Sequence, residues 1–189
     1  LTVTKLRDKH VREWVGPHRA FFNRKLPQCE RGLLVAESPL AAWIAADTVD
    51  DEATELALTL MQWHDDGVAW EDMAVVGRTK AVAARAVAGF GAHDIPTAEL
   101  HGSDAGDAVR FGTMHGMKGM EFRCVAVVGA GRDGLPLRQA VTPVEEDPVR
   151  HALDVQQERC LLFVACTRAR ERLRVSWSGP VSELLPVLR

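Results

Sequence analysis

Two short, uninterrupted apolar runs constrain this chain most: residues 73–77 (MAVVG) and residues 124–129 (CVAVVG). A strand with one wet face alternates polar and apolar side chains, so a strand with no polar face must be covered on both sides. Segments of helical character lie between such runs. Residues 50–66 place Leu56, Leu60 and Trp63 on one face at three- and four-residue spacing. Asp50 or Asp51 is placed to cap that helix, Glu52 and Glu55 sit near its positive end, and Gly67 would stop it. Residues 81–89 read as a second, Ala-rich helix and residues 155–172 as a long third one. Further strands are expected at residues 32–37 (GLLVAE), 97–100, 108–113 and 173–177, with a short helix after the last. Residues 131–154, holding Pro136, Pro143 and Pro148, read as a loop. Strands alternating with helices in this way predict an α/β fold, a mostly parallel sheet with helices on both faces. Ligands of such sheets gather beyond the carboxyl ends of the strands. That directs the search to the residues after Gly77, Thr113 and Gly129, and to the long helix.

A chain of 189 residues suits a single domain, taken as residues 1–189, and can bury a substantial core. Its formal net charge of −3 excludes nucleic-acid binding by bulk charge alone, though not a local basic groove. Residues 1–32 form a basic segment with Trp14, Phe21 and Phe22 among its Lys and Arg residues. Basic stretches with aromatics can contact nucleic acid, but a solvated helix with one apolar face is the plainer reading. The four cysteines, Cys29, Cys124, Cys160 and Cys166, make no C-x-x-C pair, and three lie in apolar runs. They read as buried free thiols, which fits a reducing cytoplasm and not a zinc site. No stretch approaches the roughly 20 apolar residues of a membrane helix, and no signal peptide is visible. The chain opens on Leu1, not Met, which suggests an excised fragment.

Two segments carry chemistry. Residues 113–122, TMHGMKGMEF, place a hydroxyl, an imidazole, an ammonium and a carboxylate beside Gly116 and Gly119 where a strand ends. Such a loop suits a ligand; alternatively Lys118 and Glu121 simply pair across a turn. Residues 156–170, QQERCLLFVACTRAR, surround an apolar centre with Glu158, Arg159, Thr167, Arg168 and Arg170. Arginine's planar fork suits phosphate, but these arginines can equally solvate a helix surface.

Taken together, the first segment resembles motif V of UvrD/Rep-like superfamily 1 DNA helicases, roughly T-x-H-x-x-K-G-L-E-F. The second resembles their motif VI, roughly E-E-R-R-L-x-Y-V-x-x-T-R-A. Asp72 to Thr79, DMAVVGRT, looks like the family's D-x-A-V-L-x-R-T strand, and Gly134-Leu135-Pro136 like its G-x-x-P. The resemblance runs over about residues 33–178. It implies a RecA-like (P-loop NTPase-type) second motor domain, closing an ATP cleft against an N-terminal RecA-like motor domain that carries the phosphate loop and the Mg²⁺ carboxylates. By motif position Arg168 would meet the γ-phosphate and Glu121 the ribose. Lys118, Gly119 and Thr167 would line the ATP site. Thr113, His115 and Arg78 would face single-stranded DNA.

The departures are specific. No G-x-x-x-x-G-K-[ST] occurs, so nothing here cradles the β- and γ-phosphates, and the chain alone should be inactive. The family's Tyr-Arg pair of motif IV has no Tyr to match; Leu6-Arg7 stands at a suitable distance and makes Arg7 a degenerate ATP-binding candidate. Phe163 replaces the usual Tyr of motif VI and Cys160 an Arg, which would weaken coupling between ATP and DNA. Positions 79–112 are too few for the inserted 2B domain of larger members. Two other functions stay open: a degenerate, non-catalytic RecA-like interaction or regulatory module, and a nucleotide-binding enzyme of another α/β class. The intact Glu121, Thr167 and Arg168 favour the helicase reading over the first, and the lack of G-x-G-x-x-G disfavours the second.

Overall fold

A computed structural model describes residues 40–102 and 106–185. The basic segment 1–32, the strand expected at residues 32–37, Arg7 and Cys29 lie outside these residues.

Among the described residues, six strands form one all-parallel sheet in the order β1-β6-β5-β2-β4-β3. They are β1 (Leu40–Ala46), β2 (Met73–Gly77), β3 (Thr97–Glu99), β4 (Val109–Thr113), β5 (Phe122–Val127) and β6 (Ala169–Ser178). The two apolar runs become β2 and β5, which pair with each other inside the sheet. Their side chains alternate between two cores. Ala74, Val76, Val125 and Val127 join Leu173 and Val175 beneath the helix Pro148–Cys166, called α3. Met73, Val75, Cys124 and Ala126 pack against α1 (Val49–Asp65) and α2 (Lys80–Val87) on the other face. The fold is therefore α/β with helices on both faces, as double-sided burial of these strands requires.

Several boundaries differ from expectation. The cap of α1 is Thr48, not Asp50 or Asp51: its Oγ1 accepts from Asp51 N while Thr48 N donates back to the Asp51 carboxylate. Gly67, at φ +88°, does end the helix. The third helix starts at Pro148, inside the stretch read as a loop, because Asp147 accepts from Val149 N and Arg150 N. Proline at the first helical position lacks only a donor that would be orphaned there anyway. The same helix stops at Cys166 and not at Arg172, since β6 already begins at Ala169 and claims the following residues. Arg172, expected on a helix surface, is on β6 and paired with Asp66 at the end of α1. β1, with no charged residue in LAAWIAA, was not expected as a strand. Residues 181–185 hold an isolated bridge, Gly131 with Val181, and a turn; the rest of the stretch where a short helix is expected lies outside the described residues. Between Arg78 and Thr113 the described residues form α2, a 3-10 turn, β3 and most of β4.

Candidate nucleotide and nucleic-acid site

Because all strands run in parallel, the sheet has one carboxyl edge and one amino edge, and the candidate residues divide between them. β2 and β4 end side by side, Gly77 opposite Thr113. Thr113 then caps a 3-10 turn, Met114–Met117, its Oγ1 accepting from Gly116 N at 3.1 Å. Met114 and Met117 are buried in the α3-side core and pin the turn, while His115 is left exposed. A hydroxyl with a hydrogen still to donate and an exposed imidazole therefore share the carboxyl edge. Gly116 also lies close to His101, whose Nε2 would stand 3.2 Å from a β-carbon at that position. His101 was not singled out in the sequence; no motif points to it.

Lys118 and Gly119 carry the chain away from that turn, both exposed. Gly119 has φ +82°, a left-handed conformation in which a side chain is strained. The chain then reaches the amino edge, where Glu121 precedes β5 and Arg168 precedes β6. Phe122 N donates to Arg168 O at 2.9 Å, and Phe122 is in register with Ala169. A bulge between Phe122 and Cys124 turns Phe122 into the α3-side core despite its two-residue spacing from Cys124. Glu121 and Arg168, far apart in sequence, come within 3.9 Å through Arg168 Nη1. The Arg168 side chain is 16% exposed and that of Glu121 60%. Arg168 is held from behind: Nε donates to Val164 O at 3.3 Å and Nη2 to Thr167 Oγ1 at 3.4 Å. Thr167 Oγ1 donates to Val164 O at 2.9 Å and so stays on the helix end.

Glu121 and Arg168 therefore lie away from the carboxyl ends, to which the sheet alone directs attention. The rule of the carboxyl ends describes chains whose phosphates sit on a helix N-terminus following a strand; here Glu121 and Arg168 stand at the opposite edge. Arg78 also departs from its reading as a residue facing DNA. Positions 74, 76 and 78 share one face, so its guanidinium turns under α3. There Nε and Nη2 reach the two oxygens of Glu158 at 2.8 and 2.7 Å, with the Arg78 side chain 11% exposed. Leu137 N adds a third bond to the same carboxylate at 3.1 Å. Burial opposes ionisation of Glu158, but the bonds from Arg78 and Leu137, with the charges of Arg78 and His115, outweigh it and hold the carboxyl below its ordinary range. Glu158 carried no role in the sequence reading. Its signal was spacing: Asp154, Glu158, Leu162 and Ala165 form one buried stripe, so two carboxylates had to be satisfied inside.

The set at the amino edge is a guanidinium, an exposed carboxylate and a hydroxyl. It fits an anionic ligand that also carries neighbouring hydroxyls. Among the described residues no group of three His, Cys, Asp or Glu side chains could hold a metal ion. Cys124, Cys160 and Cys166 are free, and burial pushes the Cys124 and Cys166 thiols up to about 11 and about 12. No helix among the described residues is long and apolar enough to cross a membrane.

Residues 94–179 match the family model of the UvrD-like helicase C-terminal domain. The matched stretch, a little under half of the chain, runs from just before β3 to just after β6, so it includes Thr113, His115, Lys118, Gly119, Glu121, Thr167 and Arg168 but not Arg78. Among solved structures, the C-terminal domain of a possible DNA helicase from Lactobacillus plantarum WCFS1 is similar at a TM-score of 0.62 and 17% identity. The similarity covers 82% of each chain and concerns the fold. No curated protein matches the sequence.

Proposed function

We propose that this domain supplies one wall of the ATP site and part of the single-stranded DNA track of an ATP-dependent DNA helicase, working against an N-terminal RecA-like motor domain that bears the phosphate loop. The observation that carries this reading is the approach of Arg168 to Glu121 at the amino edge. It joins the only two side chains that the family resemblance assigns to the γ-phosphate and to the ribose.

Each residue then has a task. When water attacks the γ-phosphorus and the bond to the bridging oxygen breaks, negative charge spreads over the γ-oxygens. Arg168 meets that charge with a guanidinium whose Nε and Nη2 are already fixed to its own helix end, so little ordering remains to be done in the transition state. Glu121, mostly exposed, accepts from ribose hydroxyls. Lys118 adds a positive charge beside Gly119. The other motor domain would hold Mg²⁺, which screens the phosphate charge. Because Arg168 arrives from this domain, hydrolysis depends on closure of the cleft. At the carboxyl edge, Thr113 and His115 donate to the phosphodiester backbone of the DNA.

The test is the DNA-stimulated ATPase of the intact helicase carrying Glu121→Ala. Loss of a contact made equally in the bound and transition states raises KM for ATP and leaves kcat nearly unchanged. A KM within about twofold of the parent value would remove Glu121 from the site.

A further inference from the structure

Resting on that reading, we propose that Arg78 and Glu158 form a positioning pair that sets α3, and with it Arg168, against the carboxyl edge where Thr113 and His115 stand. α3 begins beyond the carboxyl edge and ends at Cys166, two residues before Arg168, beside the amino edge, so it spans the sheet over about 28 Å at 1.5 Å per residue. Its apolar contact with the sheet, through Leu162 and Ala165, is non-directional and tolerates sliding. Its outer face is open, with Val149, Leu153 and Val164 72, 54 and 40% exposed, and nearer its start Asp154 takes bonds from Thr142 N and Oγ1.

A bidentate guanidinium–carboxylate pair tolerates neither rotation nor sliding, because both oxygens and both nitrogens must stay opposed. Glu158 is 4% exposed, and its Oε2 also takes the Leu137 N–H, so the carboxylate is fixed from two sides. The other half of the pair is just as well placed. Arg78 directly follows Gly77, the residue in register with Thr113. The strand ends that carry the DNA-facing groups and the helix that carries Arg168 are thus joined by one buried ion pair. A slip of α3 by one residue would move Arg168 by about 1.5 Å, and a misplacement of about 1 Å is enough to cost about 10²-fold in rate. Arg78 and Glu158 act through Arg168 and touch no substrate.

The experiment uses the intact helicase with Glu158→Gln, which keeps the shape and the acceptor for Leu137 N, and Arg78→Lys, which keeps the charge but loses the fork. For each, kcat, KM for ATP, affinity for an oligothymidylate and thermal midpoint are measured, alone and on an Arg168→Lys background. The expected result is a fall in kcat of ten- to a hundredfold, with KM for ATP and oligothymidylate affinity within about twofold. On the Arg168→Lys background the same changes should cost little more, since the position they disturb has already lost its function. Full, independent losses on both backgrounds would overturn the proposal. So would weaker oligothymidylate binding by Arg78→Lys at unchanged kcat, which would return Arg78 to the DNA. If Glu158→Gln fails to fold, Arg78→Lys alone decides by the same criteria. If Arg168→Lys itself leaves kcat unchanged, the ATP-site reading fails, and that outcome is distinct from a failure of the pair.

Discussion

Glu158 and Asp154 are two carboxylates on the buried face of one helix, and each is held ionised by named donors. Thr142 N and Oγ1 donate to Asp154 Oδ2, and Arg150 pairs with Oδ1. The bond from the Thr142 backbone is the largest influence holding the Asp154 carboxyl below its ordinary value of 3.8. Both folded values are lowered, so both groups stabilise the fold above their ordinary values, and the gain is lost as pH falls through the lowered ones. The expected outcome is a fall in stability on acidification below about pH 4.5, the ordinary value for Glu158. Chemical denaturation at a series of pH values measures it, and Glu158→Gln should flatten the upper part of the curve; an unchanged slope would contradict the assignment. At this scale the sequence was unevenly legible. Arg168 and Glu121 could be named because they sit in a motif, and the fold brings them together. The burial of Arg78 was not legible because D-x-A-V-V-G-R-T does not say which helix covers the strand. The parity of positions 74, 76 and 78 was readable, but its partner depended on how α3 lies.

Elements were legible where one residue pattern dominated and obscure where two signals competed. The apolar runs of β2 and β5 admitted one reading, and α1 was found within one residue at each end. The start of α3 was hidden because Pro148 reads as a loop residue until Asp147 is seen capping beneath it. Its end was hidden because RARERLR suits a helix by composition, while the pairing of β6 with β1 and β5 draws it into the sheet. Tertiary pairing outweighs a propensity of a few tenths of a kcal/mol per residue. The reciprocal cap at Thr48 offers a direct test. Thr48→Ala removes the acceptor for Asp51 N and should cost about 1 kcal/mol of stability, the usual loss for such a cap. Denaturant titration reads this, and a loss below about 0.3 kcal/mol would mean that water replaces the hydroxyl without penalty.

The whole molecule is a sheet with different work assigned to its two edges. The general rule for parallel sheets led to the carboxyl edge, and Thr113 and His115 are there. Under the proposed function the rule does not reach Glu121 and Arg168, because it concerns the domain that cradles phosphate, whereas this one is proposed to close over it. The net charge of −3 leaves little non-specific attraction for DNA. Single-stranded DNA should accordingly bind this chain weakly, perturb the Thr113–His115 turn and dissociate as salt rises. Chemical-shift mapping checks both location and salt dependence; perturbations confined to the amino edge would be the wrong pattern. The account's central claim is that Arg168 delivers the charge that makes hydrolysis wait for domain closure. The measurement that tests it most directly is the DNA-stimulated ATPase of the intact helicase with Arg168→Ala, read together with its thermal midpoint. Arginines in this role contribute about 10³ to 10⁵ in rate, so activity should fall by at least about 10³-fold while the midpoint stays within a few degrees. Retention of more than about a tenth of the activity, less than about 1.4 kcal/mol on the barrier, would contradict the account.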